Sequence, residues 1–203
     1  MEQSERKKIL KRVEQFSSDN SFKDDIHGFK HTKRVCNLSL KIGKTVGADL
    51  FILRIAALMH DIGRTKEDEN SVKNHAEISA EMALEFFKNG NIKLKENEIE
   101  NIIHSIKAHS FSYNLRPETL EAMVLSDVDK LDALGAIGLY RTIGFTVKNK
   151  GSFNEVIEHL DNKILKLDQK LFLDESKELA TKRLRIVEAF YKEAKQEINH
   201  EMK

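Results

Sequence analysis

Residues 51–59, FILRIAALM, are apolar at nearly every position, and a histidine and an aspartate follow them directly. A helix that is apolar almost all the way round has to be surrounded by other elements, because no face of it suits water. His60 and Asp61 are therefore expected at the end of a buried helix. Both side chains are costly to bury unless something pairs with them, so the fold must supply a partner at that end.

Turn-forming residues are scarce in the rest of the chain, since its 203 residues include one proline and nine glycines. Apolar residues recur at spacings of three and four, which is the period of an amphipathic helix. The sequence therefore predicts an all-α protein, with Gly47 ending one helix and Asp49 capping the next. Further breaks are expected at 17–21, 67–71, 89–91, 116–118 and 149–151.

Charge and composition narrow the classes of partner. The chain has 34 Lys plus Arg against 33 Asp plus Glu, a formal net charge of +1, so no global field draws it to nucleic acid or to an anionic membrane. No run approaches the ~20 apolar residues of a membrane span. The single cysteine, Cys36, cannot form an internal disulfide, which favours a reducing compartment. These features predict a soluble, cytoplasmic protein that binds neither nucleic acid nor membrane.

Histidines and acidic residues recur together on separate predicted helices. They are His31, the pair His60 and Asp61, His75 with Glu77, His104, His109, and the acids Asp127, Asp129 and Asp132. An apolar bundle that gathers such groups needs a cation, and imidazole with carboxylate suits Zn, Mn, Fe or Ni rather than Ca. A lone histidine at a helix end is more often a cap or a core residue, so the pattern as a whole indicates the metal site.

Helical geometry limits which histidines can share an ion. His104 and His109 are five residues apart, about 140° around a helix, so at most one of them can face the site. His27 lies four before His31 and would share its helical face if that segment is helical.

His31, the adjacent His60 and Asp61, and an aspartate in DVDKLDAL reproduce the H, HD, D pattern of the HD-domain metal-dependent phosphohydrolases, which the chain resembles. The segments HGFKHTKRV, AALMHDIGR, HAEISA, HSFS, DVDKLDALGAIGLYR, LDNKILKL and LATKRLRIVEAF are similar to the YpgQ/YedJ-like bacterial branch of that superfamily. The resemblance implies an all-α HD-domain helical bundle over residues 1–135, with an added C-terminal helical lobe, 136–203, packed on it.

The resemblance also implies a metal and a reaction. The family's ligands carry over to His31, His60, Asp61 and Asp129, which would hold a divalent ion, with Mn favoured and Mg, Co, Ni, Fe or Zn as alternatives. The implied activity is hydrolysis of nucleoside triphosphates to monophosphate and pyrophosphate by a metal-activated water. On one regular helix over 120–134, Asp127 lies nearer the centre of the apolar stripe than Asp129. We follow the family on Asp129 and keep Asp127 as a supporting residue.

Three residues receive roles in this chemistry. Asp61 is expected to bind the metal and to contact the attacking water as a base. Arg64, one turn beyond it, and Lys130, next to Asp129, are candidates for binding substrate phosphate. The alternative for either cation is a solvated position at a helix end.

His75 and His109 leave two readings open. In some HD families two further histidines create a second metal site, whereas in mononuclear ones they donate protons or bind phosphate. We favour one metal, with His75 and His109 lining the pocket, and Glu77 as an acceptor that orients a histidine.

Other functions and assemblies stay open at this point. The same residues would serve a phosphatase or phosphodiesterase on another small phosphorylated metabolite, and a non-catalytic nucleotide sensor is a third possibility. Tyr140, Arg141 and Phe145 would either cover the pocket and select a base or simply pack. The apolar stripe over 180–198, with Asp174 or Ser176 as cap, indicates a helix on its own core or a dimer seam, so the chain is expected to be a monomer or a homodimer.

Overall fold

The computed structural model describes residues 2–67, 73–110 and 115–201, and within these ranges it contains helices and no strand. The prediction of an all-α protein is confirmed. The longer helices are α1 (Gln3–Asp19), α2 (Phe29–Val46), α3 (Leu50–Met59), α4 (His75–Asn89), α5 (Glu96–Ala108), α6 (Leu120–Asp132), α7 (Gly135–Lys148), α8 (Phe153–Asn162) and α9 (Asp174–Glu201). Shorter 3₁₀ helices span Ile62–Thr65, Ile164–Lys166 and Asp168–Lys170.

Parts of two sequence features fall outside the described residues. The expected break at 67–71 is described only at its first residue, and the HSFS segment, 109–112, only at its first two. None of the helices in the described ranges has the length and apolar character needed to cross a bilayer.

The chain divides into two compact units, the first ending at Val128 and the second beginning at Asp129. The division falls inside α6. The boundary expected at 135, and the packing of the C-terminal lobe on the core, stay predictions.

Helix α3 is the centre of the first unit, where it contacts α1, α2, α4 and α5. Eight of its ten residues are buried, and Leu53 and Ile55 have no exposed surface. Burial of each large aliphatic side chain contributes about 1.5–3 kcal/mol, so this helix anchors the unit. Ser17 of α1 adds a hydrogen bond from its hydroxyl to the carbonyl oxygen of Leu58, close to the end of α3.

The start of α3 follows the signals read from the sequence. Gly47 ends α2 in the left-handed region, with φ of 83°. The Asp49 carboxylate then accepts hydrogen bonds from the backbone N–H groups of Phe51 and Ile52, at 2.8 and 3.2 Å. Both boundary predictions are confirmed.

Helix α2 begins where the backbone passes very close to itself. A Cβ atom on Gly28 would lie 2.1 Å from the carbonyl oxygen of Asp24 and 2.4 Å from that of Phe22, so only glycine fits. The helix starts one residue later and holds His31 in its first turn. His27 precedes the helix, so the condition for placing it on the same helical face as His31 is not met.

In the second unit, α9 packs against α7 and α8. Its buried residues include Ala180, Leu184, Val187 and Ala194 from the predicted stripe, so this face has an intramolecular partner. The capping prediction is wrong, because Asp174 is the first residue of the helix and Ser176 is buried within its first turn.

Cys36 on α2 gives a direct test of this packing. Its side chain is buried, and burial raises the pKa of the thiol to about 11. Because the thiolate is the reactive form, only about one thiol in a thousand is ionised near pH 8. We expect a disulfide reagent such as DTNB to react negligibly with the native protein and with one thiol per chain in denaturant. Rapid labelling of the native protein would contradict the buried position.

Candidate metal centre

Two buried histidines occupy the same place at the ends of two helices. His60 directly follows α3, and its Nδ1 lies 2.8 Å from the carbonyl oxygen of Ala57. His109 directly follows α5, with Nδ1 2.5 Å from the carbonyl oxygen of Ile106. The last carbonyls of a helix have no partner within it, so each ring donates its Nδ1–H to one of them. The lone pair of each neutral ring is then on Nε2.

Two further histidines come from the starts of helices. His31 lies in the first turn of α2, and His75 is the first residue of α4. All four histidine residues are at least nine-tenths buried. They form a row in the order His31, His60, His109, His75, with successive ring centroids 5.4, 4.8 and 5.4 Å apart. We call this set the histidine row.

The carboxylate of Asp61 lies against the histidine row and is almost completely buried, with 4% exposure. Its Oδ2 atom is 3.6 Å from Nε2 of both His31 and His60. Its Oδ1 atom is 3.6 Å from Nε2 of His75 and 3.5 Å from Nε2 of His109. One carboxylate therefore faces two pairs of imidazole nitrogens.

This arrangement fits a cation. With Nδ1–H donated to the backbone, the Nε2 lone pairs of His60 and His109 face a carboxylate, so acceptor opposes acceptor. Among the described residues, Asp61 Oδ1 and His109 Nε2 have no hydrogen-bond partner although both are buried. His60, Asp61 and His109 each offer one atom that could bind a metal ion, and these three atoms lie within 4.8 Å of one another. Neutral imidazole with carboxylate is a ligand set for divalent transition metals.

Arg64 contacts the same carboxylate from the 3₁₀ helix Ile62–Thr65. Its Nε donates to Asp61 Oδ2 at 2.5 Å, and its side chain is 24% exposed. Burial alone would raise the pKa of Asp61, but the positive charge of Arg64 is the largest opposing influence, and the pKa lies well below its usual value. The carboxylate is therefore ionised at neutral pH.

Gly63 lets α4 approach this segment. A Cβ atom there would lie 2.5 Å from the carbonyl oxygen of His75 and 2.6 Å from the backbone nitrogen of Ser79. The N–H of Gly63 instead donates to the Ser79 hydroxyl at 2.8 Å. This close contact holds the first turn of α4, and so His75, beside Asp61.

Two acids near His75 have roles that the sequence did not predict. Glu77 forms a capping box with Asn74 at the start of α4. Glu67 contacts His75 on the side away from Asp61 Oδ1: its Oε1 accepts from the backbone N–H at 2.9 Å and its Oε2 lies 3.4 Å from Nδ1. Glu67 begins the segment 67–71, which the sequence analysis predicted only as a break between helices. No spacing in the sequence links it to His75.

His104 and Asp127 are the remaining candidates in the first unit. His104 accepts a hydrogen bond on Nε2 from the backbone N–H of Glu118, at 2.9 Å. As predicted from their angular separation, only His109 of this pair faces Asp61. Asp127 is fully buried on α6.

Asp129 and Lys130 belong to the second unit, on the last turns of α6. Asp129 is partly exposed. Lys130 is buried, with Nζ 5.8 Å from the centre of the Phe172 ring. Their roles as metal ligand and phosphate-binding cation stay predictions.

The candidate base-selecting residues on α7 differ in exposure. Arg141 is buried and donates to Asp132 Oδ2 at 2.9 Å, so its charge is balanced inside the second unit. Tyr140 is 58% exposed and Phe145 is 41% exposed. A role in base selection stays a prediction for all three.

Comparisons with known proteins agree on one family. The HD domain model matches residues 28–134, more than half of the chain. The uncharacterized protein YpgQ of Bacillus subtilis (strain 168) is 31% identical over 180 residues, which cover 85% of this chain and 84% of that protein. Ribonuclease Y of Treponema denticola is 26% identical over 129 residues, 64% of this chain but only 23% of that enzyme.

Solved structures show the same fold. The crystal structure of Bacillus subtilis YpgQ in complex with ADP gives a TM-score of 0.76 at 22% identity, covering 95% of this chain and 96% of that one. An HD-superfamily hydrolase from Bacillus thuringiensis gives 0.72 at 23% identity, covering 96% and 98%.

Replacing Gly63 tests whether the close contact with α4 positions the site. In Gly63→Ala the added Cβ must displace backbone, and we expect the free energy of unfolding to fall by about 1–3 kcal/mol and Mn²⁺ binding to weaken. Gly47→Ala is the control: its φ is positive but nothing lies near its Cβ. It should cost about 1–2 kcal/mol with Mn²⁺ affinity unchanged. Urea unfolding and Mn²⁺ titration measure both, and equal Mn²⁺ affinities would reject the positioning role of Gly63.

Proposed function

Because this chain belongs to the HD domain family, we propose that it is a metal-dependent phosphohydrolase that converts nucleoside triphosphates to monophosphate and pyrophosphate. Membership of the family supports an enzyme of the hydrolase class. The observation that carries the proposal is the buried histidine row against the ionised carboxylate of Asp61. The preference for nucleotides is supported by YpgQ of Bacillus subtilis, whose structure was solved with ADP.

We propose one divalent ion, held by His31, His60, Asp61 and Asp129. His31, His60 and Asp61 belong to the first unit, and Asp129 is assigned as a ligand from the family pattern. Mn is favoured, with Mg, Co, Ni, Fe or Zn as alternatives. When bound, such an ion polarises a phosphoryl oxygen and lowers the pKa of a water molecule.

The chain's own groups have separate tasks in this proposal. Asp61 is ionised at neutral pH, so it can orient an attacking water and accept a hydrogen bond from it. Arg64 is fixed by its contact with Asp61 and places a positive charge beside the row, where substrate phosphate would bind. Lys130 is the second candidate for phosphate. His75 and His109 line the pocket.

Two other functions have support of their own. A phosphatase or phosphodiesterase on another small metabolite would use the same groups, and the likeness to ribonuclease Y makes RNA a substrate to test. The balanced charge favours a small substrate over RNA, since RNA affinity rests on an excess of basic residues. A non-catalytic nucleotide sensor ranks last, because a sensor has no need of a complete set of ligands. The cytoplasmic location and the monomeric or dimeric state stay predictions.

Product identification tests the reaction. We expect the metal-stripped protein, reloaded with Mn²⁺, to produce nucleoside monophosphate and pyrophosphate from at least one triphosphate in a panel of ribo- and deoxynucleotides, as measured by mass spectrometry. Asp61→Asn should abolish the products, because a neutral amide lacks the charge that the proposed ion and water require. Glu81→Gln, an exposed acid paired with Lys73 on the surface, is the control that should retain them.

The panel also separates the alternatives. Intact triphosphates with hydrolysis of phosphomonoesters or of an RNA oligonucleotide would reject the pyrophosphohydrolase and favour a phosphatase or a nuclease. Binding of nucleotide with no hydrolysis of any substrate would favour the sensor.

Metal content tests the assignment of ligands. We expect one Mn²⁺ per chain by native mass spectrometry, loss of the ion in His31→Ala, and full retention in His104→Ala, whose ring binds the Glu118 backbone instead. Two ions per chain would contradict the single-metal proposal and assign the Oδ1 side of Asp61, with His75 and His109, to a second ion.

A further inference from the structure

An open groove in the first unit lies at the opposite end of α3 from the histidine row. Helices α1 and α2 both contact α3, and all three helices line this groove, which has a volume of about 740 Å³. It meets α3 at the start of the helix, at Leu50, Phe51 and Arg54, whereas His60 and Asp61 follow the end. We call it the basic groove, and no member of the histidine row lines it.

Much of the lining of the basic groove is apolar. Leu10 of α1 and Leu40 of α2 are partly exposed there, and Leu50 at the start of α3 is 38% exposed. Pockets that bind small organic molecules have volumes of about 300–1,000 Å³ and are mostly apolar with a few polar groups. An apolar ligand in this groove would remove leucine surface from water, which favours binding.

The charged side chains of the groove all have the same sign. They are Arg6 and Lys7 on α1 and Arg54 on α3, and none of the described residues that line the groove is acidic. The whole chain has a formal net charge of only +1, so this excess of positive charge is local. It favours a ligand that carries a negative charge.

The two arginines are held in similar ways and leave the same atom without a partner. Arg6 contacts Glu98 through Nη2 at 3.4 Å, and its guanidinium lies over the ring of Phe51, 4.5 Å from the ring centre. Arg54 contacts Glu14 through Nη2 at 3.9 Å. The Nε atom of each arginine is buried and has no hydrogen-bond partner among the described residues. A buried donor without an acceptor costs free energy, and an anionic group in the groove would supply one.

We infer that the basic groove binds a small amphipathic anion, a molecule with an apolar body and one anionic head such as a carboxylate. The body contacts the leucine side chains, and the head accepts charge-assisted hydrogen bonds from Arg6 and Arg54. A second groove, of about 440 Å³ and lined by α1 and α4, contains Glu85 beside Arg12 and Lys66. Its charge is mixed, so it lacks this preference for anions.

Decanoate tests the inference because it joins an apolar chain to a carboxylate. Decyltrimethylammonium has the same chain with a positive head, and acetate has the head without the chain. Below the concentration at which micelles form, we expect decanoate to bind by isothermal titration calorimetry and to shift the ¹H–¹⁵N amide signals of Leu10, Leu40 and Leu50. The other two probes should bind at least about tenfold more weakly.

Arg54→Gln tests the anionic head with little risk to the fold, because Glu14 keeps Lys33 as an ion-pair partner at 2.5 Å. It should weaken decanoate binding about tenfold or more. Arg12→Gln is the matched control, since Arg12 also belongs to α1 and also lies over a phenylalanine, Phe86, but outside the groove. It should leave the affinity unchanged, and urea unfolding should find both variants folded.

Three results would overturn the proposal. The first is equal affinity for decanoate and decyltrimethylammonium, and the second is unchanged decanoate affinity in Arg54→Gln. The third is a dimer of the parent in sedimentation that Leu40→Gln dissociates, because a second copy of the chain would then cover the groove. None of these results depends on nucleotide hydrolysis, so the basic groove and the proposed function succeed or fail separately.

Discussion

The structure depends on a buried negative charge at the end of an apolar helix. An isolated carboxylate at this depth would cost several kcal/mol or take up a proton. Asp61 stays ionised because the guanidinium of Arg64 contacts it, and four imidazole rings surround the same carboxylate. The first unit can therefore be described as the set of elements that brings these five groups to one carboxylate: α2, the ends of α3 and α5, the 3₁₀ segment and the start of α4.

The direction of each helix decides how its histidine is held. A ring that follows a helix finds backbone carbonyls, and a ring that begins one does not. This gives His60 and His109 the same local contact three residues back, although their helices are unrelated in sequence. A histidine that caps a helix and a histidine that faces a metal site are commonly weighed as alternatives, but here Nδ1 of one ring contacts the helix end while its Nε2 faces the candidate metal centre.

The sequence predicts those features that depend on neighbours along the chain. The buried helix before His60, the boundary at Gly47 and Asp49, and the separation of His104 from His109 all follow from local periodicity and turn chemistry. Contacts between distant segments were not predictable in this way. Glu67 reaches His75 across eight residues, and the close passage of Gly63 against α4 is visible only when both backbones are placed. The cap predicted for α9 is wrong for a local reason, because the helix already begins at Asp174, the residue expected to precede it.

The contact between Arg64 and Asp61 also bears on the order of events after synthesis. Many small metal-binding domains stay unfolded until the ion arrives, since only the ion can neutralise their ligands. Here an internal guanidinium already balances the buried carboxylate, so the chain can complete its fold first. On the proposed function, the ion would join Arg64 at a carboxylate that is already balanced, so the supply of metal would limit activity without limiting folding.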